Sequence, residues 1–177
     1  MRRREVLPAL GAGAISAQAQ TASFALQFRE SFLAHWQVER GYTLAVAEAM
    51  AASDYDSKPH PAQRTFGEQL IHLGMANVAY FSSYGLIPAP ARPSGADKEA
   101  VKNYIAASFD YVTNVLQKLG EKDMVRKDAG TLRSKPHSTI DLCLRAYTHT
   151  AHHRGQAIVY LRVKGITPPT WAFEPSA

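Results

Sequence analysis

Four segments of the chain repeat apolar residues at helical spacing, and this pattern restricts the folds that the chain can adopt. The segments cover about residues 23–52, 66–84, 98–119 and 140–164. Prolines, glycines and polar stretches separate them, and no convincing alternation of apolar and polar residues marks a strand. The sequence therefore predicts an all-α protein, a four-helix bundle whose apolar stripes meet in one core.

The residues at the segment ends favour helix starts and stops. Thr65 and Glu68 have the spacing of a capping box, in which each side chain accepts a hydrogen bond from the other residue's backbone N–H. Asp97 is the expected N-cap of the third segment, and Gly165 is expected to end the fourth. The polar stretch at 121–137 is compatible with a short turn or with a hairpin, and the sequence does not decide between them.

The first residues are typical of an export signal. Three arginines at positions 2–4 precede a short, mildly apolar run at 6–15 and a small-residue cleavage pattern at 17–19. The arginine pair before Glu-Val-Leu also resembles the twin-arginine export motif. We expect an export signal at 1–20 and a single domain at 21–177 that works in a bacterial periplasm. The alternative is a cytoplasmic protein with a disordered or helical N-terminal extension.

Length, cysteine content and charge narrow the class of protein. With 177 residues and one cysteine, Cys143, the chain fits a single domain without an internal disulfide. No apolar run approaches the roughly 20 residues of a membrane span. The net charge of +5 falls to +3 without Arg2, Arg3, Arg4 and Glu5, because 17 basic and 14 acidic residues remain. Those basic residues are scattered, so we expect no nucleic-acid partner.

A pair of histidines lies on the apolar stripe of the fourth segment. His149 and His153 are four residues apart, so on a helix they occupy one face in consecutive turns. Two imidazoles at this spacing can bind a single metal ion. The alternative is two buried histidines that bond to their neighbours. Burying unpaired imidazoles is costly, which favours the metal hypothesis.

Two stretches of the sequence resemble the DinB/YfiT-like superfamily. They are residues 61–72, Pro-Ala-Gln-Arg-Thr-Phe-Gly-Glu-Gln-Leu-Ile-His, and a His-x-x-x-His-Arg-Gly-Gln run that begins at His149. The resemblance covers about residues 23–165. It implies a four-helix bundle, often a homodimer, in which three histidines bind a divalent metal, commonly zinc or nickel. Carried over position by position, it makes His72, His149 and His153 the ligands of one ion per chain.

Three histidine ligands would leave one position of a four-coordinate zinc open. An open position is typical of catalytic sites, and a water bound there has a pKa near 7 and becomes a usable nucleophile. We therefore expect a metal-dependent hydrolase of an unidentified small molecule. One alternative, implied by the resemblance, is a thiol S-transferase that uses a low-molecular-weight thiol. Another is a non-catalytic, stress-related metal-binding protein.

Several other polar residues lie close to the expected ligands in sequence. Glu68 precedes His72 by one turn and is a candidate general base, although its capping role also explains it. Arg154 and Gln156 either bind a water or substrate at the metal or make packing contacts. Tyr160 is a candidate binding residue with core packing as the alternative.

Other chemistries of helical bundles fit this sequence poorly. A di-iron carboxylate site needs Glu-x-x-His on paired helices. The positions three residues before the expected ligands are Gln69, Ala146 and Thr150. The sequence also lacks a Cys-x-x-Cys-His haem attachment site, a Gly-x-Ser-x-Gly motif and a glycine-rich phosphate loop.

Overall fold

The computed structural model describes the backbone of residues 12–132 and 134–170 and the side chains of residues 24–132 and 134–170. Four long helices, one single-turn helix and a small hairpin make up the described chain. In order they are α1 (Ala12–Ala49), α2 (Phe66–Phe81), α3 (Lys98–Lys118), α4 (Glu121–Met124), β1 (Gly130–Leu132), β2 (Lys135–His137) and α5 (Thr139–Val163). Short 3-10 turns at Ala52–Asp54 and Ser82–Tyr84 follow α1 and α2. The predicted all-α class is confirmed.

The four long helices pack side by side around one apolar core. Helix α2 lies against α3 and α5, and α1 lies against the same two helices. Trp36 is fully buried between α1 and α3, where its ring centroid lies 4.5 Å from that of Phe109 and its indole N–H donates to the Phe109 carbonyl. This packing holds α2 beside α5, the two helices that carry the three candidate histidines.

The predicted helix ends are confirmed. Thr65 Oγ1 accepts from the Glu68 backbone N–H at 3.1 Å, and Glu68 Oε2 accepts from the Thr65 N–H at 2.8 Å, which completes the capping box. Asp97 accepts from the Ala100 N–H and caps α3. Gly165 follows α5 with a φ of +72°, a left-handed conformation that favours glycine.

The first helix begins earlier than the apolar pattern suggests. Its backbone starts at Ala12, so the expected end of the export signal at residue 20 falls inside α1. Residues 1–11 lie outside the described chain, and the export signal stays a prediction. Among the described helices, none combines the length and the apolar character that a membrane crossing requires.

The polar stretch between α3 and α5 forms the hairpin. β1 and β2 pair antiparallel, with Gly130 opposite His137. His137 Nδ1 in turn pairs with the Asp141 carboxylate in the first turn of α5. The Ser138 hydroxyl accepts from the Asp141 N–H and caps that helix. The hairpin therefore holds the start of the helix that carries His149.

Candidate metal centre

Three imidazoles meet between α2 and α5. His72 comes from α2, and His149 and His153 come from consecutive turns of α5. One potential ligand nitrogen of each lies within 4.8 Å of the others. Two ligands of one zinc ion can stand at most about 4.2 Å apart, twice the zinc–nitrogen bond length, so a small rotation of the rings closes this spacing. The three histidines can therefore bind one metal ion.

His153 is held by two glutamine side chains. It is buried, with 8% of its surface exposed, and its Nδ1 lies 2.6 Å from Gln69 Nε2 and 3.1 Å from Gln156 Oε1. The two glutamine amides also contact each other. Because Nδ1 is engaged in this way, Nε2 is the nitrogen of His153 that remains for a metal ion. Sequence reasoning had not assigned Gln69 a role.

His149 has a buried nitrogen without a hydrogen-bond partner. Its Nδ1 is inaccessible to solvent and no atom of the described residues bonds to it. The ring edge faces Tyr80, with 5.9 Å between the ring centroids. Leaving a buried polar atom unpaired costs roughly 1–3 kcal/mol. A neutral imidazole gains a partner when it binds a cation, so this nitrogen fits a metal site.

The surroundings keep the three imidazoles neutral. Burial lowers the pKa of His149 and that of His153 to about 4, and the neighbouring imidazoles lower both further. Burial also lowers the pKa of His72, with a smaller contribution from the charge of Arg64. Only the neutral ring has a lone pair for a metal. At neutral pH the site is therefore ready to bind a cation without first releasing protons.

Two cavities adjoin the histidines. His72 lines one of about 560 Å³, together with Arg64, Glu68 and Arg92. His149 lines the other, of about 490 Å³, and the remaining residues along it are Tyr80, Asp141, Leu144, Arg145, Thr148 and His152. Both volumes are large enough for a small organic molecule. A molecule in either cavity lies beside one of the three rings.

Glu68 and Gln156, two of the other expected site residues, lie close to the histidines. Glu68 lines the His72 cavity, and its hydrogen bond from the Thr65 N–H holds the pKa of its carboxyl below the ordinary value. Gln156 contacts His153 and also lies 3.0 Å from Nε2 of the exposed His152. Glu68 thus caps α2 while facing the cavity, and Gln156 orients a histidine.

Arg154 turns away from the three histidines towards α1. Its guanidinium forms a buried ion pair with Glu39, with 3.2 Å between Nη2 and Oε1. The same group lies over the Tyr42 ring, 4.5 Å from its centroid. Both charged residues are nearly inaccessible, at 3% exposure for Glu39 and 4% for Arg154. Of the two roles considered for Arg154, the structure therefore shows packing contacts, which join α5 to α1.

Tyr160 also makes a contact outside the group of histidines. Its hydroxyl donates to the backbone carbonyl of Arg64 at 2.7 Å, and its ring packs against Phe66. The contact ties α5 to the loop that precedes α2. Tyr160 thus fixes the backbone from which the Arg64 side chain extends.

Comparisons with known proteins agree with this fold. A sequence model of the DinB family matches residues 20–174. A DinB-like protein from Bacillus cereus has a similar structure, with a TM-score of 0.71 and 21% identity over 80% of this chain and 95% of that one. A DinB-like protein from Bacillus subtilis gives a TM-score of 0.64 and 19% identity over 80% and 96%. No curated protein matches the sequence. Because the family match covers most of its length, the chain belongs to the DinB family.

Proposed function

We propose that the protein binds one divalent metal ion through His72, His149 and His153 and hydrolyses a small molecule there. The observation that carries the proposal is a group of three neutral imidazoles beside two cavities, with no fourth His, Cys, Asp or Glu ligand grouped with them among the residues that the structure describes. Structural zinc sites use four protein ligands, whereas three are typical of catalytic sites. Imidazole ligands suit zinc and nickel, and these are the ions we propose.

The protein residues would bind and orient the reactants. A bound ion supplies Lewis acidity for a substrate carbonyl and lowers the pKa of a water in its open position. Gln69 and Gln156 hold the ring of His153 in place. Glu68 contributes an ionised carboxylate to the His72 cavity and is the proposed proton acceptor.

Metal content tests the binding half of the proposal. The protein is purified without a histidine tag or chelating column, and metals are quantified by mass spectrometry. We expect about one zinc or nickel ion per chain, because the three ligands form one site. A His149→Ala/His153→Ala double variant and a His72→Ala variant should both lose it. Metal-free wild-type protein, with both variants folded and equally stable, would contradict the proposal.

A substrate screen tests the catalytic half. Esters, amides and lactones are offered to the metal-loaded protein, with His72→Ala as the matched control. Turnover that requires the metal and disappears in the variant supports hydrolysis. Turnover by the variant at the wild-type rate would assign the activity to a contaminant or to another site.

A non-catalytic role is the second candidate, because the ligands come from two different helices. An ion bound by His72 on α2 and by His149 and His153 on α5 would tie these helices together. Its binding energy then adds to folding stability. Under this alternative, metal removal lowers the melting temperature substantially while the substrate screen and a parallel thiol-transfer assay remain silent.

A further inference from the structure

Arg64 is held at the edge of the metal centre by its backbone. It directly precedes Thr65, the N-cap of α2, and its carbonyl accepts the hydrogen bond from Tyr160 described above. Tyr160 lies two turns beyond His153 on α5. The point from which the arginine side chain extends is therefore fixed relative to both helices that carry the candidate ligands.

Arg64 lines two cavities that border the site. One is the cavity of about 560 Å³ that His72 also lines. The other, of about 430 Å³, is lined by the two glutamines that hold His153, Gln69 and Gln156. An exposed arginine shared by both cavities is in a position to contact a molecule that enters either one.

The guanidinium of Arg64 is available to an incoming anion. No carboxylate or carbonyl of the described residues forms an ion pair or hydrogen bond with it. Glu68, a carboxylate in the same cavity, accepts a hydrogen bond from the Thr65 N–H instead of from Arg64.

We propose that Arg64 binds an anionic group of the substrate, so that the substrate is a small molecule with a carboxylate or a similar anion beside its reacting group. This inference rests on the proposed function and specifies its substrate class. A guanidinium presents parallel N–H donors that match the two oxygens of a carboxylate. One end of the substrate then contacts Arg64 while the other lies at the three histidines.

Cobalt-loaded full-length protein provides the test, because the visible absorption of Co²⁺ changes when a ligand binds. Dissociation constants are measured for succinate against butyrate and for glutarate against valerate, pairs that differ by one carboxylate. We expect each dicarboxylate to bind at least about tenfold more tightly, the scale of one charge-assisted hydrogen bond. Arg64→Gln should abolish this preference. Arg162→Gln removes the same charge from the exposed end of α5 and should retain it.

The possible failures are distinguishable. A wild-type protein that does not bind cobalt would overturn the metal centre and this inference with it. A protein that binds cobalt but shows no preference for dicarboxylates, or keeps the preference after Arg64→Gln, would overturn the role of Arg64 alone. Equal loss in Arg64→Gln and Arg162→Gln would assign the effect to net charge and would also overturn it.

Discussion

Gln69 of α2 and His153 of α5 meet with 2.6 Å between Gln69 Nε2 and His153 Nδ1. For His153 to bind a cation through Nε2, its proton must lie on Nδ1, and the atom facing Nδ1 must accept a hydrogen bond. Metal binding therefore requires the Gln69 amide to turn its oxygen towards the ring, or Gln156 Oε1 to take over as acceptor. The buried pair thus links the metal centre to the contact between α2 and α5.

Gln69→Leu should weaken metal binding about 10- to 100-fold, because the leucine cannot accept from Nδ1–H. Gln69→Glu should keep or raise the affinity, because a carboxylate is a stronger acceptor for that proton. Competition with a chelating dye measures both variants. Urea unfolding of the metal-free variants is the control for packing. Equal affinities for the leucine variant and the wild type would show that Gln156 Oε1, and not Gln69, accepts from Nδ1–H when the metal binds.

The metal-free protein should lose stability as the pH falls from about 6.5 to about 4. His149 and His153 have pKa values of about 4 when folded, against 6.5 for an ordinary histidine. Between these values the unfolded chain binds more protons, so the free energy of unfolding falls with falling pH. Above about 6.5 both states are neutral and these groups contribute no pH dependence.

Urea unfolding in the presence of a chelator, repeated across this pH range, measures the effect. A His149→Gln/His153→Gln double variant should show a flatter profile. The carboxylates with lowered pKa values, among them Glu68 and Asp141, are unchanged in that variant, so the comparison isolates the histidines. Identical profiles for the two proteins would contradict the prediction.

Glu39→Gln should destabilise the protein by about 3–5 kcal/mol, because it leaves the buried charge of Arg154 without its partner. The matched control is Arg40→Gln, which breaks the exposed pair with Asp110 and should cost less than about 1 kcal/mol. Urea unfolding gives both values. Metal content should stay at the wild-type level in folded Glu39→Gln protein, because Arg154 turns away from the histidines. A cost as small as that of the control would argue against the buried pair.

Local signals in the sequence predicted the helices and the histidine pair. Helical spacing, the Thr65–Glu68 capping box and the left-handed Gly165 depend on residues within a few positions of one another, so the sequence alone shows them. The spacing of His149 and His153 predicted their shared face in the same way. The position of His72 beside them came instead from the resemblance to a family, because α2 contains a single histidine and therefore no pair at a metal-binding spacing.

The contacts that sequence reasoning missed join residues far apart in the chain. Gln69 precedes His153 by 84 positions, and Glu39 precedes Arg154 by 115. Neither spacing leaves a local pattern, and the packing of α1 and α2 against α5 alone brings these side chains together. For this reason the sequence alone could not decide the role of Arg154. It was equally compatible with packing contacts and with binding a water or substrate at the metal.

Gly74→Ala should destabilise the protein by about 1–3 kcal/mol, the usual cost of overpacking a core. A Cβ at this position would lie 2.8 Å from Tyr104 Cε1, so either the buried Tyr104 ring must shift or α2 and α3 must move apart. Gly41→Ala is the matched control. Its Cβ would meet open space within α1, and replacing a helical glycine should stabilise the protein by roughly 0.5–1 kcal/mol.

If these contacts determine stability, urea unfolding should show that Gly74→Ala lowers the free energy of unfolding and that Gly41→Ala raises it. Because Gly74 lies two residues after His72, metal affinity is measured as well, and we expect it to weaken only in Gly74→Ala. Such a result would mean that the close approach of α2 to α3 also places His72 opposite the histidines of α5. Stabilisation by both substitutions would instead show that the Tyr104 ring moves aside at no cost, and that this approach does not set the geometry of the site.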